Sequence, residues 1–177
     1  MSREEVILNA DEIDLILTRM SEKIVERHNH IDNLVLIGIR TGGVYLADRI
    51  QKKILSRKGK EILRGDLDIN LYRDDWTRIG YQPVVRKTEM PFSLEDKDVV
   101  LIDDVLFTGR TVRAAMDAII DFGRPDRIEL AVLVDRGHRE LPIEANYVGK
   151  YVKTSRDMMV NVYFKETVGR DEVVIIR

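Results

Sequence analysis

Apolar residues follow two different rhythms along this chain. Continuous aliphatic runs predict strands that are buried on both faces of a sheet, and they occupy residues 34–39, 99–102 and 130–134. Apolar residues at helical spacing predict helices over residues 13–24, 44–55 and 111–122. Because strands and helices alternate, the pattern predicts an α/β fold with a mostly parallel central sheet flanked by helices on both faces.

The region between the second and third predicted helices predicts a hairpin that extends from this sheet. Residues 66–71 alternate between polar and apolar side chains, which is typical of a strand. Residues 72–82 are polar and indicate an exposed, flexible hairpin loop, and residues 84–90 are a candidate for its second strand.

The last third of the chain predicts a small additional layer. Residues 135–155 are rich in turn-forming types and are expected to be irregular. Residues 158–164 and 173–176 predict terminal strands. With the N-terminus and the segment near residue 140, these strands are expected to build a small hood over the sheet.

Composition narrows the class of protein. A chain of 177 residues with 44% hydrophobic and 34% charged residues predicts one domain, residues 1–177, that buries a real core. The absence of cysteine excludes disulfides and thiol nucleophiles. The acidic N-terminus and the lack of a long apolar run predict a cytoplasmic protein with no membrane partner. A net charge of −2 means that any nucleic-acid binding needs a local basic patch.

The richest chemistry follows the second aliphatic run, where the chain reads Val-Val-Leu-Ile-Asp-Asp-Val-Leu-Phe-Thr-Gly-Arg-Thr over residues 99–111. Asp103 and Asp104 are expected at the carboxyl end of a strand, where open α/β sheets bind ligands. Residues 108–111 offer backbone N–H groups, hydroxyls and a helix N-terminus, which together favour a phosphate. The segment therefore predicts a site for a ribose that carries a 5′-phosphate. The alternative is a buried strand followed by an ordinary acidic turn.

A second loop, residues 38–43, has the sequence Gly-Ile-Arg-Thr-Gly-Gly and also lies between a predicted strand and a predicted helix. It matches neither the Walker A loop nor the Gly-x-Gly-x-x-Gly fingerprint. Taken alone, it is a tight turn. Beside the acidic loop it acquires a function, since one loop can bind the 5′-phosphate and the other a pyrophosphate.

These paired loops resemble the phosphoribosyl-pyrophosphate (PRPP) motif of the type I phosphoribosyltransferases. The resemblance implies that a nucleobase nitrogen displaces pyrophosphate from PRPP, with Mg²⁺ carried by PRPP and no direct protein ligand to the metal. It implies catalytic roles for Asp103, Asp104 and Arg73. The substrate-binding residues that it implies are Arg40, Thr41, Arg86, Asp103, Asp104, Val105, Leu106, Phe107, Thr108, Gly109, Arg110, Thr111, Arg136 and Val160.

Three further segments, residues 71–75, 135–143 and 148–150, narrow the resemblance to one branch. The chain is similar, over nearly its whole length, to the family of bifunctional pyrimidine operon attenuation regulators and uracil phosphoribosyltransferases. That family implies conversion of uracil and PRPP to UMP and pyrophosphate, and a homodimer or a larger assembly of dimers. Arg136 and Val160 are candidates for contacting the base, whereas His138 is left outside the site because a lone histidine in a charged loop is more often structural.

The same family implies UMP-dependent binding to pyrimidine operon leader RNA, through Thr18, Arg19, Arg27, Arg139 and Lys150. Three positions depart from the family pattern. Glu22 stands where a basic or neutral residue is usual, Glu144 stands where arginine is commoner, and Gly42 replaces an arginine. The alternatives are an RNA-binding regulator with a nucleotide-sensing but catalytically weak pocket, a purine salvage phosphoribosyltransferase, or an unrelated phosphosugar-binding protein.

Overall fold

The computed structural model describes residues 4–70 and 88–177 of the protein. Two sheets and their flanking helices make up these residues. The strands are β1 (Glu4–Leu8), β2 (Leu34–Ile39), β3 (Leu63–Leu67), β4 (Asp98–Leu106), β5 (Arg127–Asp135), β6 (Tyr147–Tyr151), β7 (Met159–Tyr163) and β8 (Glu172–Ile176). The helices are α1 (Ala10–Arg27), α2 (Gly42–Lys58), α3 (Arg110–Ile120) and α4 (Lys165–Val168), with a short 3₁₀ turn at Ile31–Asn33.

The larger sheet has five strands in the order β3-β2-β4-β5-β6. Every neighbouring pair is parallel, so that Leu34 pairs with Asp98 and Val99 pairs with Ile128. All five strands therefore end at the same edge, which we call the carboxyl edge. This arrangement confirms the predicted α/β fold with a parallel central sheet.

Helices cover both faces of this sheet. On one face, Leu17 and Ile24 of α1 and Ile50 of α2 pack in a hydrophobic core with Leu36 of β2. A second core on the other face contains Val112, Ala115, Ala118 and Ile119 of α3, together with Val35, Ile37 and Ile39 of β2. Because β2 sends alternate side chains into both cores, its apolar run has no polar face, as the sequence predicted.

The smaller sheet is antiparallel, with the order β1-β8-β7, and it forms the predicted hood. Its connection to the rest of the molecule includes Arg49 of α2, which donates to Glu166 (Nε to Oε1, 2.9 Å) and to Asp171 (Nη2 to Oδ1, 2.7 Å). The segment near residue 140 is not part of this sheet, contrary to expectation. It packs against the start of α3, where Ile143 and Leu141 lie beside Gly109.

Three predicted boundaries were wrong. Strand β3 ends at Leu67, so only the first two residues of the alternating stretch 66–71 belong to the strand. Strand β4 continues through both carboxylates to Leu106, because parallel pairing with β5 holds Asp103 opposite Val132. Residues 135–155 contain strand β6, whose Gly149 and Lys150 lower its apolar content, although pairing with β5 stabilises it. Residues 71–87, which include the predicted hairpin loop, lie outside the described residues.

Helix α1 begins at a capping box. Asn9 Oδ1 accepts a hydrogen bond from Glu12 N (3.0 Å), and Glu12 Oε2 accepts one from Asn9 N (2.9 Å). The two bonds satisfy amide groups that have no acceptor within the helix. Among the described residues, no helix combines the length and the apolar character that a membrane crossing requires.

Candidate active site

The two loops singled out in the sequence are neighbours at the carboxyl edge. The Arg40–Thr41 peptide, which is cis, follows β2, and Phe107 follows β4. A Cβ atom at position 42 would lie 2.7 Å from Asp104 Cγ, and one at position 43 would lie 3.0 Å from the carbonyl carbon of Ile102. A Cβ atom at position 43 would thus meet the backbone of β4, so glycine is required there, whereas one at position 42 would meet only the Asp104 side chain.

Asp103 and Asp104 lie side by side in the last part of β4. Asp103 is buried, and its Oδ1 accepts a hydrogen bond from Asp104 N (2.9 Å). Asp104 is half-buried, and its Oδ1 accepts from Val105 N (2.8 Å). Consecutive strand residues point to opposite faces. Asp104 consequently faces the start of α2, which places one carboxylate against the Arg40–Thr41 loop.

The loop after β4 ends at the N-terminus of α3. Gly109 adopts a left-handed conformation (φ +91°) and precedes a first helical turn without an acidic residue. Thr108 Oγ1 accepts a hydrogen bond from Arg110 N (3.3 Å). Because a helix N-terminus carries exposed amide groups and the positive end of the helix dipole, this turn fits a phosphate group.

The segment after β5 packs against residues 107–109, which we call the phosphate loop. Glu140 N and Leu141 N both donate to the carbonyl of Thr108 (2.9 and 3.3 Å). Arg139 donates to the carbonyls of Phe107 (2.8 Å) and Ile143 (2.9 Å) and pairs with the buried Asp135 carboxylate. The Arg139 guanidinium is thus engaged within its own chain, and its contact with RNA stays a prediction.

Arg136 is buried between the phosphate loop and the hood. Its guanidinium lies 4.1 Å from the centre of the Phe107 ring, and its Nη2 donates to the carbonyls of Ser155 (2.9 Å) and Met158 (2.7 Å). Burial lowers its pKa. Its Nε is buried and has no partner among residues 4–70 and 88–177. A buried N–H without a partner is uncommon in folded proteins.

Val160 lies on β7, which packs against β4, and it is half-buried against the first core. The chain therefore brings Val160 to the same end of β4 as the residues around Arg136. His138, left outside the site, has a structural position: its Nε2 is 2.6 Å from the Thr154 carbonyl, and its ring meets Phe107 edge-on.

The other predicted substrate contacts differ in their accessibility. Thr41 is exposed, and Val105 and Thr111 are half-buried. The side chain of Leu106 is buried in the second core, and its carbonyl accepts a hydrogen bond from Arg136 N (3.1 Å). Arg110 is at the phosphate loop, where its Nε donates to Glu140 Oε2 (2.9 Å). Arg73 and Arg86 lie outside the described residues.

Arg40 lies in a charged cluster that the sequence did not reveal. Its Nη2 is 3.7 Å from both Asp66 Oδ2 and Glu89 Oε1, and Arg64 Nη1 donates to Asp66 Oδ1 (2.7 Å). Burial raises the pKa of Asp66 although both arginines oppose this shift. A cavity of about 490 Å³ adjoins the cluster and is lined by Arg64, Asp66, Thr88, Glu89, Met90 and Pro91.

The remaining residues predicted to bind RNA do not form one patch. Arg27 Nε pairs with Glu129 Oε1 (2.8 Å), whereas Arg139 pairs with Asp135, six residues further along β5 and roughly 20 Å away at strand spacing. Lys150 donates to the Ile7 carbonyl (2.8 Å). Thr18 Oγ1 donates to the Asp14 carbonyl (2.9 Å). Arg19 is exposed.

Comparisons with known proteins agree with this geometry. The sequence profile of the phosphoribosyl transferase domain matches residues 5–162. A relative from Desulfosudis oleivorans, called bifunctional protein PyrR, is 53% identical over 99% of this chain and 97% of its own. A protein of the same name from Chloroflexus aurantiacus is 56% identical over 100% and 97%. The hypoxanthine phosphoribosyl transferase of Trypanosoma cruzi has a similar fold, with a TM-score of 0.75, 18% identity and coverage of 98% and 91%.

The parallel sheet with two adjoining loops at its carboxyl edge defines a type I phosphoribosyltransferase, and the matching profile assigns the same enzyme class. Within that class the similarity to two relatives of the same name extends over the whole chain. The chain belongs to the family of the bifunctional protein PyrR.

Proposed function

We propose that this phosphoribosyltransferase converts uracil and PRPP into UMP and pyrophosphate. The contact between Gly42 and Asp104 carries the proposal, because it joins a pyrophosphate loop to a ribose-binding carboxylate at one edge of the sheet. The base assignment is supported by the resemblance of residues 71–75, 135–143 and 148–150 to the uracil enzymes of this family.

Each part of the site has a role in that reaction. The N-terminus of α3 and Thr108 hold the 5′-phosphate. Asp103 and Asp104 accept hydrogen bonds from the ribose hydroxyls and place negative charge near the ribose ring. As the bond from C1′ to pyrophosphate oxygen breaks and the bond to uracil N1 forms, the ring becomes more positive, so these carboxylates stabilise the transition state. The N1 proton leaves to solvent.

The pyrophosphate group of PRPP and the uracil base contact different parts of the site. Arg40 and Thr41 face the departing pyrophosphate and bind it through charge-assisted hydrogen bonds. The buried Nε of Arg136 is a donor for a carbonyl oxygen of the base, and Val160 provides an apolar wall. Little covalent chemistry is left to the protein, because positioning and electrostatics supply most of the acceleration.

Mg²⁺ fits this site as a cation that arrives with PRPP. In the described parts of the chain, no group of three His, Asp or Glu side chains is arranged to hold a metal ion. The carboxylates of Asp103 and Asp104 offer hard oxygen acceptors that would hold water molecules around an ion carried by PRPP, without ligating it directly. When bound, the ion neutralises the charge that develops on pyrophosphate.

The direct test is turnover of radiolabelled uracil with PRPP and Mg²⁺, beside hypoxanthine and guanine at the same concentration. We expect UMP from uracil and no product from either purine. Reaction of a purine without reaction of uracil would establish the purine salvage alternative. Tight PRPP and UMP binding without any turnover would instead establish a sensor with a catalytically weak pocket.

The carboxylates are tested by Asp104→Asn, which keeps the shape of the side chain and removes its charge. We expect kcat/KM for PRPP to fall about 10- to 100-fold, because the positive ribose loses its counter-charge. Asp117→Asn on the exposed face of α3 is the matched control and retains full activity. Full activity of Asp104→Asn would remove the proposed role of this carboxylate.

A second proposed function is UMP-dependent binding to pyrimidine operon leader RNA. Its structural support is confined to α1, where the exposed Arg19 and Lys23 lie one turn apart beside a depression of about 170 Å³. Neither cation has an ion pair among residues 4–70 and 88–177. Against this, Glu22 pairs with Arg57 on the adjoining helix, and Glu144 is exposed.

Gel shifts with the leader RNA, with and without UMP, test this function. The double variant Arg19→Gln/Lys23→Gln should weaken binding and lower the salt slope by about 1 to 2, whereas the exposed control Lys52→Gln should not. Glu144→Arg should strengthen binding. If the wild-type chain causes no shift at low salt, only the enzyme remains.

A further inference from the structure

Two carboxylates lie beside the side chain of Arg40, just after the end of β2. Arg40 Nη2 is 3.7 Å from Asp66 Oδ2 on β3 and 3.7 Å from Glu89 Oε1. Backbone hydrogen bonds fix this arrangement. Arg40 N donates to the Leu67 carbonyl (2.9 Å), and Asp66 and Glu89 each donate their N–H to the carbonyl of the other (2.9 Å in both directions). Pairing of the main chain therefore brings both carboxylates to Arg40.

The Asp66 carboxylate divides its two oxygens between two arginines. Arg64 Nη1 donates to Oδ1 at 2.7 Å, which is a normal hydrogen bond, whereas Oδ2 and Arg40 attract each other across 3.7 Å. Asp66 is thus anchored by Arg64 and holds Arg40 by charge. The Nε of Arg40 is buried and has no hydrogen-bond partner within residues 4–70 and 88–177. The Arg40 guanidinium is therefore restrained in place and keeps the capacity to donate to phosphate oxygens.

We infer that Asp66 and Glu89 are positioning residues that hold Arg40 and compete with pyrophosphate for its charge, which weakens product binding and promotes release. The inference rests on the proposed role of Arg40 in binding pyrophosphate. Pyrophosphate meets a guanidinium whose charge is already partly balanced by two carboxylates, so it is bound less tightly than by a lone arginine. Weaker binding matters because product release limits the turnover of many enzymes.

The sign of the effect distinguishes this role from a structural one. If the carboxylates only maintained the shape of the loop, removing their charge would misplace Arg40 and weaken pyrophosphate binding. If they compete for Arg40, removing their charge strengthens that binding. The Asp66 side chain is 12% exposed and the Glu89 side chain 62%. Because water screens the more exposed pair, Asp66 should have the larger effect.

The experiment compares Asp66→Asn in two backgrounds, wild type and Arg40→Gln. Asparagine keeps the volume of the side chain and an acceptor for Arg64, and it removes the charge. Calorimetry measures affinity for magnesium pyrophosphate, uracil turnover gives KM, and thermal denaturation gives Tm. In the wild-type background we expect affinity to rise about three- to fivefold and KM for PRPP to fall in parallel. In the Arg40→Gln background the change should stay below about 1.5-fold, because the arginine through which Asp66 acts is gone.

Glu89→Gln is a second variant at an exposed position, so it tests the inference even if Asp66→Asn lowers Tm. We expect its affinity for magnesium pyrophosphate to rise about 1.5- to twofold. The control is Glu26→Gln, which removes the same charge from an exposed position near the end of α1 and should leave affinity and Tm unchanged.

Weaker or unchanged pyrophosphate binding in Glu89→Gln, or in Asp66→Asn at an unchanged Tm, would overturn the inference. An equal gain from Asp66→Asn in both backgrounds would also overturn it, because Asp66 would then act on pyrophosphate without Arg40. The proposed function fails in a different way. The wild-type chain would form no UMP, or Arg40→Gln would bind pyrophosphate as tightly as the wild type.

Discussion

At the scale of single residues, Arg139 shows how far a side chain's role depends on its surroundings. It is half-buried and connects the Asp135 carboxylate to the carbonyls of Phe107 and Ile143. These contacts hold the phosphate loop against the segment after β5. In the folded chain Arg139 therefore supports the shape of the loop after β4.

We predict that Arg139→Met lowers the free energy of unfolding by about 2–3 kcal/mol, because the buried Asp135 carboxylate loses its partner. Urea denaturation measures the effect. The control is Lys52→Met, which removes an exposed ion pair with Asp48 within α2 and should cost less than about 0.5 kcal/mol. Equal stability of the two variants would show that the contacts of Arg139 contribute nothing net.

The residues of the acidic loop could be identified from the sequence, but the side chains that hold this loop in place could not. Asp103, Asp104 and Thr108 could be identified because a strand, two acids and a Thr-Gly turn are contiguous. The partners of Arg139 and Arg40 could not, because Phe107 and Asp66 reach them only after folding. Asp66 was interpreted as the polar position of an alternating strand, and nothing local marked it as a neighbour of the site.

At the scale of elements, the end of α1 is joined to three strands by a buried polar cluster. His28, the C-cap of α1, has Nδ1 at 3.3 Å from Asp98 Oδ2 and Nε2 at 3.0 Å from Glu129 Oε2. Both ring nitrogens face carboxylate oxygens. Tyr147 donates to the same Glu129 oxygen (2.6 Å). The cluster therefore connects α1 to β4, β5 and β6.

The cluster predicts a component of acid sensitivity. Burial raises the pKa of Glu129, but hydrogen bonds from Tyr147 and His28 and the charges of His28 and Arg27 outweigh it and leave the pKa below 4.5. Its ionised form is thus favoured by folding, and this stability is lost as pH falls through the pKa in the folded state. Tyr147→Phe removes one donor and should flatten the dependence of unfolding free energy on pH below about 5.

Urea titrations at a series of pH values compare this variant with the wild-type chain. The other carboxylates are common to both proteins, so the difference between the two slopes reports on Glu129. The exposed Tyr151→Phe is the control and should follow the wild-type slope. Coincident slopes for Tyr147→Phe and wild type would contradict the assignment.

The elements themselves were predicted unevenly. Strands β2, β4 and β5 were found because burial on both faces leaves an unbroken apolar run. Strand β6 was missed, since an edge strand with Gly149 and Lys150 has no such run and is formed by pairing with β5. Pairing in the sheet, which local sequence does not record, decided these boundaries.

At the scale of the whole molecule, Arg49 joins the hood to the large sheet. Its guanidinium binds Glu166 and Asp171, and the cation also faces the Phe164 ring at 5.7 Å. We predict that Arg49→Met lowers the free energy of unfolding by about 2–3 kcal/mol, since two partly buried carboxylates lose their counter-charge. Hydrogen exchange should accelerate in β7 and β8 more than in β2 and β4.

The matched control is Arg170→Met, also in the hood, which removes a half-exposed contact with Glu172 at 3.5 Å. It should change stability by less than about 0.5 kcal/mol. Uniform acceleration of exchange across both sheets would show that the hood and the large sheet open as one unit.

The order of strands has a kinetic consequence. Strand β4 meets β5 after only the short α3 crossover, whereas its pairing with β2 closes a far longer stretch of chain, from Leu34 to Asp98. Because long loops cost more entropy to close, residues 98–151 are expected to assemble first and to serve as a template for β2 and β3. Asp103 and Asp104 would then be in place before the loop that contains Arg40 and Thr41, and pulse-labelled amide exchange during refolding can follow that sequence of events.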